Sequence, residues 1–278
     1  MSRVWLITGC STGLGRALAE AVLADGDRLV ATARNPTQLA DLADRYGDQV
    51  RTVSLDVTDP AAARTVVSDA VDAFGRLDIL VNNAGYADVA AIEDISEDAF
   101  RAQIEANFFG VVNLSRAALP PMREQRRGHI VQVSSVGSRV ASIGLGAYQA
   151  AKWAVSGFSG VLAREVGSFG IRVTAVEPGA LRTEWAGSSM SALPISEPYR
   201  PVIEPAVERL RQANGTQPGD PARAAQAIIQ ITRVDDPPAR LLLGADAVAG
   251  ATAAADALAA SDARWRELSE SIVFDARS

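Results

Sequence analysis

The chain has 278 residues, of which 48% are hydrophobic and 22% are charged, and its net charge is −6. This length suits one large α/β domain or two small ones. Acidic and basic residues are mixed along the whole chain and form no Lys/Arg-rich stripe, so we expect small-molecule partners and no nucleic acid.

Composition also bears on location. The single cysteine, Cys10, cannot form an internal disulfide, which gives no sign of an oxidising compartment. No signal-peptide pattern precedes the first apolar run, and no apolar stretch reaches the about 18 residues that a membrane helix needs. We therefore expect a soluble cytoplasmic protein that does not enter the membrane.

Short β-branched runs alternate with longer amphipathic runs rich in Ala, Leu and Arg, the pattern of repeated βα units. Runs such as Ile79-Leu80-Val81 are continuously apolar, as expected of strands that are covered on both faces. The predicted strands are 3–8, 27–33, 50–55, 78–82, 129–134, 171–176 and 240–243. The pattern predicts an α/β protein with a doubly wound, seven-stranded parallel sheet of the Rossmann type and helices on both faces.

The alternation breaks only between about Thr183 and Pro221, where five prolines exclude one long helix. An insertion of this length is usually a functional lid or a disordered excursion, and its apolar residues favour a substrate lid over about 184–220. Residues 245–278 have a helical composition and are expected to pack on the sheet edge or on another subunit. Since no linker divides the chain, residues 1–278 are predicted to form one domain.

The first strand runs into the glycine-rich turn Thr8-Gly9-Cys10-Ser11-Thr12-Gly13-Leu14-Gly15, and a helical pattern follows. Glycines at such a turn let the backbone approach a pyrophosphate, and the helix N-terminus attracts the anion. Turns also collect glycine for purely local reasons. The position between the first strand and the first helix favours binding of a dinucleotide cofactor.

Seven motifs stand in an order and spacing that resemble the classical short-chain dehydrogenase/reductase family over residues 3–183. They are Thr8–Gly15, Asp56, Asn82-Asn83-Ala84-Gly85, Asn107, Ser135, Tyr148-Gln149-Ala150-Ala151-Lys152 and Pro178-Gly179. The resemblance implies a nicotinamide-dependent oxidoreductase whose catalytic residues are Asn107, Ser135, Tyr148 and Lys152. The resemblance to the steroid- and retinol-dehydrogenase-like branch of this family is looser.

Tyr148 and Lys152 are four residues apart on a predicted helix, so they project from the same face. A tyrosine, with a free pKa of about 10, is a poor base, but a neighbouring ammonium stabilises its phenolate. Lys152 is also the chain's only lysine among 27 basic residues, which indicates a need for a compact, titratable amine, although biased codon usage could leave one by chance. The alternative is a Tyr/Lys pair on a solvated helix face.

The resemblance assigns roles to the other catalytic residues. Ser135 would hydrogen-bond the substrate oxygen, while Ser134 is expected to point into the sheet, because neighbouring strand residues face opposite ways. Asn107 would hold a water that joins Lys152 to solvent; its alternative is capping or a local helix kink. Lys152 would also bind the nicotinamide ribose.

The expected cofactor-binding residues follow from the same motifs. Asp56 would accept a hydrogen bond from the adenine amino group, and the segment from Asn82 to Gly85 would wall the adenosine and brace the sheet. The complete expected set is Gly9, Ser11, Thr12, Gly13, Leu14, Arg34, Asp56, Val57, Asn83, Ala84, Gly85, Tyr148, Lys152, Pro178, Gly179 and Thr183. No metal site is expected, and the only histidine, His129, is interpreted as a strand-start residue.

Cofactor choice is predicted at the end of the second strand. An NAD enzyme normally offers an acidic side chain there to the ribose hydroxyls. This chain has Ala33 at that position, and Arg34 follows with a guanidinium suited to a 2′-phosphate. We therefore expect the protein to prefer NADP(H) over NAD(H). A surface arginine remains the alternative, because Thr12 in the glycine turn is not basic.

The leading function is hydride transfer between the nicotinamide and an apolar ketone or secondary alcohol, with Tyr148 as general acid/base. A cofactor-binding sensor without turnover and an epimerase or dehydratase are the alternatives. An apolar pocket is expected from Trp185, Met190, Leu193, Tyr199, Tyr86 and residues 140–145. By resemblance, the protein forms a homodimer or homotetramer through the helices that carry Asn107 and Tyr148.

Overall fold

The computed structural model describes residues 2–186 and 190–274. Its strands are β1 (Val4–Ile7), β2 (Arg28–Ala33), β3 (Val50–Ser54), β4 (Ile79–Asn82), β5 (Ala87–Val89), β6 (Gly128–Val133), β7 (Ile171–Pro178), β8 (Met190–Ala192) and β9 (Arg240–Leu243). Its helices are α1 (Gly13–Ala24), α2 (Ala40–Tyr46), α3 (Pro60–Phe74), α4 (Glu97–Ile104), α5 (Gly110–Glu124), α6 (Gly146–Val166), α7 (Arg200–Gln212), α8 (Pro221–Ile231) and α9 (Ala245–Glu270).

Seven strands form one parallel sheet in the order β3-β2-β1-β4-β6-β7-β9. The predicted doubly wound sheet is confirmed, and each predicted strand lies within two residues of its observed bounds at either end. The carboxyl ends of all these strands meet at one edge of the sheet, which is where the predicted motifs follow their strands.

Alternate residues of each strand enter separate cores on the two faces of the sheet. On β1, Trp5 and Ile7 pack on the side of α1 and α8, whereas Leu6 packs on the side of α3, α5 and α6. This period of two explains the continuously apolar sequence, because both faces of each strand are covered.

A second, two-stranded parallel sheet was not predicted from the sequence. It pairs β5 with β8, so that Asp88 lies opposite Ser191. Three residues are too few for the alternation of a strand to be recognised. Through this pairing, the proline-rich part 190–220 is attached to the chain just after Asn82–Gly85; residues 187–189 of the predicted lid lie outside the described residues.

The C-terminal extension forms one long helix, α9, as its composition predicts. Only Ala247 and Ala251, in its first two turns, are buried. Trp265 and Leu268, further along, are more than half exposed. The expected packing on the sheet edge is therefore limited to the start of α9, and the prediction for 275–278 lies outside the described residues.

Candidate active site

The glycine turn after β1 is a compact loop that is held in place by hydrogen bonds. Gly9 has φ = +71° and Gly13 has φ = +60°, a left-handed region that disfavours side chains. A Cβ atom on Gly9 would lie 3.0 Å from the Cα of Ala84. The Asn83 side-chain amide donates to the carbonyl oxygens of Thr8 (2.9 Å) and Gly9 (3.1 Å), which fixes the loop against the chain after β4.

This loop fits the phosphates of a dinucleotide. The first amides of a helix have no intrahelical acceptor, and they carry the positive end of the helix dipole. No acidic residue stands in the first turn of α1, and the side chain of its N-cap residue, Thr12, accepts none of these amides. The loop therefore presents amide donors to an anion.

All of the predicted catalytic and cofactor-binding residues line one cavity of about 1170 Å³ at the carboxyl edge of the sheet. Asn82 of the predicted adenosine wall does not line it. Its side chain instead donates to Gln132 (2.8 Å) on the neighbouring strand, so Asn82 braces the sheet, as the sequence also predicted.

Tyr148 and Lys152 stand on the first two turns of α6 and are both buried. The Lys152 Nζ donates to the Val133 carbonyl oxygen at 2.8 Å and lies 5.6 Å from the centroid of the Tyr148 ring. The Ser135 hydroxyl, at the end of β6, accepts from the Gly137 amide at 3.0 Å. The structure thus excludes the alternative of a Tyr/Lys pair on a solvated face.

Burial dominates the proton affinities of this pair. It raises the pKa of Tyr148 to about 12, against an opposing effect of the Ser135 hydroxyl. It lowers the pKa of Lys152 to about 8. The expectation that the ammonium would bring the tyrosine pKa down is not met in the chain alone. At neutral pH this pair is a protonated phenol beside an ammonium, which suits proton donation.

Asn107 lies in a π-helical turn, Glu105–Phe109, that joins α4 to α5. Its fully buried side chain donates to the carbonyl oxygens of Tyr86 and Gln103, both at 2.9 Å, and accepts from the Tyr86 amide at 3.2 Å. The local helix distortion raised as an alternative is therefore present. Asn107 also lines the cavity, so the two roles are compatible.

Ser134 and Ser135 have different hydrogen-bond partners. The Ser134 hydroxyl lies 3.2 Å from the Lys152 carbonyl oxygen and 3.1 Å from the Ser156 hydroxyl, so it supports α6. It does not point into the sheet, because α6 packs against this end of β6. Ser135 is left as the hydroxyl beside Tyr148.

The adenosine end of the cavity contains Asp56 and Arg34. The Asp56 carboxylate accepts from the amide and hydroxyl of Thr58, which lowers its pKa, and the charge of Arg34 acts in the same direction. The Arg34 guanidinium is exposed and has no hydrogen-bond or ion-pair partner within residues 2–186 and 190–274. This guanidinium is therefore available to bind a ligand.

The predicted apolar pocket is only partly correct. Trp185, Tyr86, Val140 and Leu145 line the cavity. Met190 and Tyr199 instead pack in a buried cluster behind it, and Leu193 donates its amide to Val89 in an extension of the β5–β8 pairing; none of these three lines the cavity. On β8 the side chain of Met190 faces the cluster, whereas the next residue, Ser191, lines the cavity; Leu193 follows this strand, and Tyr199 lies in the separate turn Glu197–Tyr199.

Polar residues that the sequence did not single out also line the cavity. They include Thr58, Asp88, Glu105, Ser191, Gln217 and Asp246, and also Gln149, which the sequence indicated only as part of the Tyr148–Lys152 motif. Gln149 fixes the loop after Ser135 by bonding the amide of Ser142 (2.8 Å) and the carbonyl of Val140 (3.0 Å). Its place next to Tyr148 was the available signal. Asp246 accepts from the Ala180 amide at 2.7 Å and had no sequence signal.

His129 takes no part in this site. Its ring bonds Thr174 at 3.0 Å on the neighbouring strand, and burial lowers its pKa to about 4, which confirms it as a strand residue. In the described part of the chain, no three His, Cys, Asp or Glu side chains form a group that could hold a metal ion. Nor does that part contain a helix long and apolar enough to span a bilayer.

A parallel doubly wound sheet with a glycine turn and a buried Tyr/Lys pair defines a dinucleotide-dependent oxidoreductase fold. The family model of the short chain dehydrogenases matches residues 3–193. The chain belongs to this family of oxidoreductases.

The chain is also similar over most of its length to other oxidoreductases. It is 51% identical to Oxidoreductase BOA17 of Botryotinia fuckeliana over 97% of this chain and 98% of that protein. The crystal structure of a short-chain dehydrogenase from Streptomyces avermitilis superposes with a TM-score of 0.93 at 41% identity, covering 99% of this chain and all of the other. An alcohol dehydrogenase from the archaeon Thermococcus sibiricus, complexed with 5-hydroxy-NADP, gives 0.72 at 25% identity, covering 87% and 96%.

Proposed function

We propose that the protein is an NADP(H)-dependent ketoreductase or secondary alcohol dehydrogenase with Tyr148 as general acid/base. One observation supports this most: Tyr148, Lys152 and Ser135 converge on the cavity that the glycine turn also lines. A bound nicotinamide supplies or accepts the hydride, and the chain's own residues handle the proton.

In the direction of reduction, Tyr148 donates its phenol proton to the substrate oxygen. The hydroxyl of Ser135 donates to the same oxygen as charge develops there. The buried ammonium of Lys152 stabilises the phenolate that remains, and Asn107 joins this lysine to solvent through a water. Burial keeps Tyr148 protonated before the reaction, since its pKa is about 12.

The preference for NADP(H) is supported by the adenosine end of the cavity. Arg34 offers an exposed guanidinium there, and Ala33 offers no carboxylate to repel a 2′-phosphate. The Thermococcus sibiricus enzyme was solved with an NADP derivative. The carboxylate of Asp56, at the same end, accepts hydrogen bonds from Thr58.

The substrate is proposed to be an apolar ketone or alcohol that lies between Trp185 and Leu145, under a lid formed by the segment 184–220. We further propose that the protein is cytoplasmic and acts as a homodimer or homotetramer. Trp153 and Val161 on α6 are 54% and 58% exposed, which supports a subunit contact through this helix.

The test is oxidation of NADPH, followed by its absorbance, against a panel of apolar ketones of increasing size. Wild-type protein should turn over members of the panel, and Tyr148→Phe should lose about 100-fold or more in turnover while keeping cofactor affinity. Tyr46→Phe, half-buried at the end of α2 and outside the cavity, is the matched control and should remain active.

Retained turnover in Tyr148→Phe would contradict the catalytic assignment. A wild type that binds NADPH but reduces no ketone would favour the sensor, and conversion without net change in NADPH would favour an epimerase.

A further inference from the structure

Glu177 is a buried acid that the proposed reaction does not use. It is the seventh residue of β7, and its side chain is fully buried. Its Oε2 accepts from Arg139 Nε at 2.5 Å and its Oε1 from Arg240 Nε at 2.5 Å. Arg139 follows β6 and Arg240 begins β9, so one carboxylate joins three strands at the edge that carries the active site.

One chain of contacts leads from Glu177 to Ser135. The Ser138 hydroxyl lies 3.2 Å from Glu177 Oε1 and 2.8 Å from the Ser135 carbonyl oxygen. Arg240 Nη2 donates to the same hydroxyl at 3.1 Å. The main chain of the proposed catalytic serine is thus tied, through one side chain, to the buried carboxylate.

A second chain of contacts leads to Lys152. The Ser156 hydroxyl lies 3.5 Å from Glu177 Oε1 and 3.1 Å from the Ser134 hydroxyl, and Ser134 donates to the Lys152 carbonyl oxygen at 3.2 Å. Ser156 stands one helical turn after Lys152 on α6, so these contacts set how closely the lysine-bearing turn approaches β6.

The third connection is the chain itself. Glu177 immediately precedes Pro178-Gly179, which line the cavity where the nicotinamide is expected. It therefore stands behind all three segments that must be aligned for reaction: the serine loop, the lysine helix and the loop after β7.

We propose that Glu177 is a positioning residue, whose charge holds Ser138 and Ser156 and thereby aligns Ser135 and Lys152. This inference rests on the proposed oxidoreductase function. Glu177 touches neither substrate nor cofactor. Because proton transfer tolerates little misalignment, loosening either serine is expected to lower turnover without weakening substrate binding.

The competing explanation is that the cluster only stabilises the fold. A buried carboxylate needs partners whatever its function, and removing it destabilises a protein through the uncompensated charges left behind. A purely structural role would reduce the amount of folded protein. It would leave each folded active site with normal turnover.

The test compares Glu177→Gln with the double variant Ser138→Ala/Ser156→Ala. Folded active sites are counted by stoichiometric titration with NADPH at low temperature. The kcat per site and the KM are then measured with a ketone that the wild type reduces. We expect kcat per site to fall about 10- to 100-fold in both, with KM changed by less than about threefold. The double variant keeps the Arg–Glu ion pairs, so it remains informative if Glu177→Gln does not fold.

Asp78→Asn is the matched control. Asp78 is also buried, pairs with Arg76 and accepts from the Val4 amide at 2.9 Å, but it immediately precedes β4, at the opposite end of the sheet. The Asp78→Asn variant should be less stable than the wild type and should keep the wild-type kcat per site. Normal kcat per site in the double serine variant would overturn the positioning role. Failure of the proposed function is a separate result, because the wild type would then reduce no ketone.

Discussion

The indole of Trp185 packs against the phenol ring of Tyr148, with 5.5 Å between the ring centroids and 54° between the ring planes. One residue belongs to the proposed lid and the other is the proposed proton donor. Trp185 therefore lies directly against the proposed proton donor, and both side chains line the cavity.

Trp185→Ala should raise KM for bulky apolar ketones by about tenfold, because a wide apolar contact is lost while the proton donor remains. Small ketones should be affected much less. Steady-state kinetics on a homologous ketone series checks this, with Trp265→Ala, half exposed on α9 and outside the cavity, as the control tryptophan. An equal loss for small and large ketones would mean that Trp185 serves the core instead.

Lys152→Arg should lower turnover by at least about tenfold, although the positive charge is kept. The Nζ of Lys152 is buried and donates to Val133 at 2.8 Å, a contact of a compact ammonium that a longer, planar guanidinium does not reproduce in the same place. Single-turnover NADPH oxidation measures the effect, and cofactor titration separates it from weaker binding. Wild-type rates in this variant would refute the need for a compact amine.

Lys152 should also make stability depend on pH. Burial lowers its pKa from 10.5 to about 8, so the unfolded chain binds this proton more tightly than the folded protein. Between those two values unfolding takes up a proton, and the folded state gains stability as the pH rises.

Lys152→Met should remove this slope. We expect the free energy of unfolding of the variant to exceed that of the wild type. This excess should be about 1–3 kcal/mol larger at pH 7 than near pH 10. Urea unfolding at both pH values measures the difference. Measurements stop near pH 10, because the raised pKa of Tyr148 reverses the slope above that value. A gap that is independent of pH would trace the effect to packing.

Cofactor choice should depend on two adjacent residues. One charge-assisted contact from Arg34 to a 2′-phosphate contributes about 1.5–3 kcal/mol, which corresponds to a roughly 10- to 100-fold preference for NADPH. Ala33→Asp/Arg34→Leu should invert the ratio of kcat/KM for NADPH and NADH. Arg45→Leu, on α2, is the control. A wild type that prefers NADH would overturn the assignment and leave Tyr148 and Lys152 untouched.

The sequence predicted the large sheet well because each strand is a run of apolar residues covered on both faces. It also predicted the cavity-lining motifs, since each follows a strand whose carboxyl end faces one edge, as Asn83 and Ser135 do. It could not assign Met190, Leu193 and Tyr199 correctly. The side chains of Met190 and Leu193 depend on the pairing of two three-residue strands, and that of Tyr199 depends on a turn that packs against the same cluster; such contacts between distant segments leave no local pattern.

The pKa of Tyr148 could not be predicted from the sequence either. The spacing to Lys152 indicated a neighbouring ammonium, but the extent of burial, which raises the pKa of Tyr148 instead, depends on how closely the surrounding elements pack. The role of Glu177 was hidden for the same reason. Its partners Arg139 and Arg240 are separated by about a hundred residues in the chain.

The position of β9 at the edge of the sheet has a consequence for synthesis on the ribosome. β7 ends at Pro178, and β9, its partner on that side, begins only at Arg240, about 60 residues later. At roughly 5–20 residues per second, the unpaired backbone of β7 is exposed for roughly 3–12 s in each nascent chain. An open, apolar strand edge invites pairing with other chains, so the yield of folded protein should depend on how quickly translation crosses this interval.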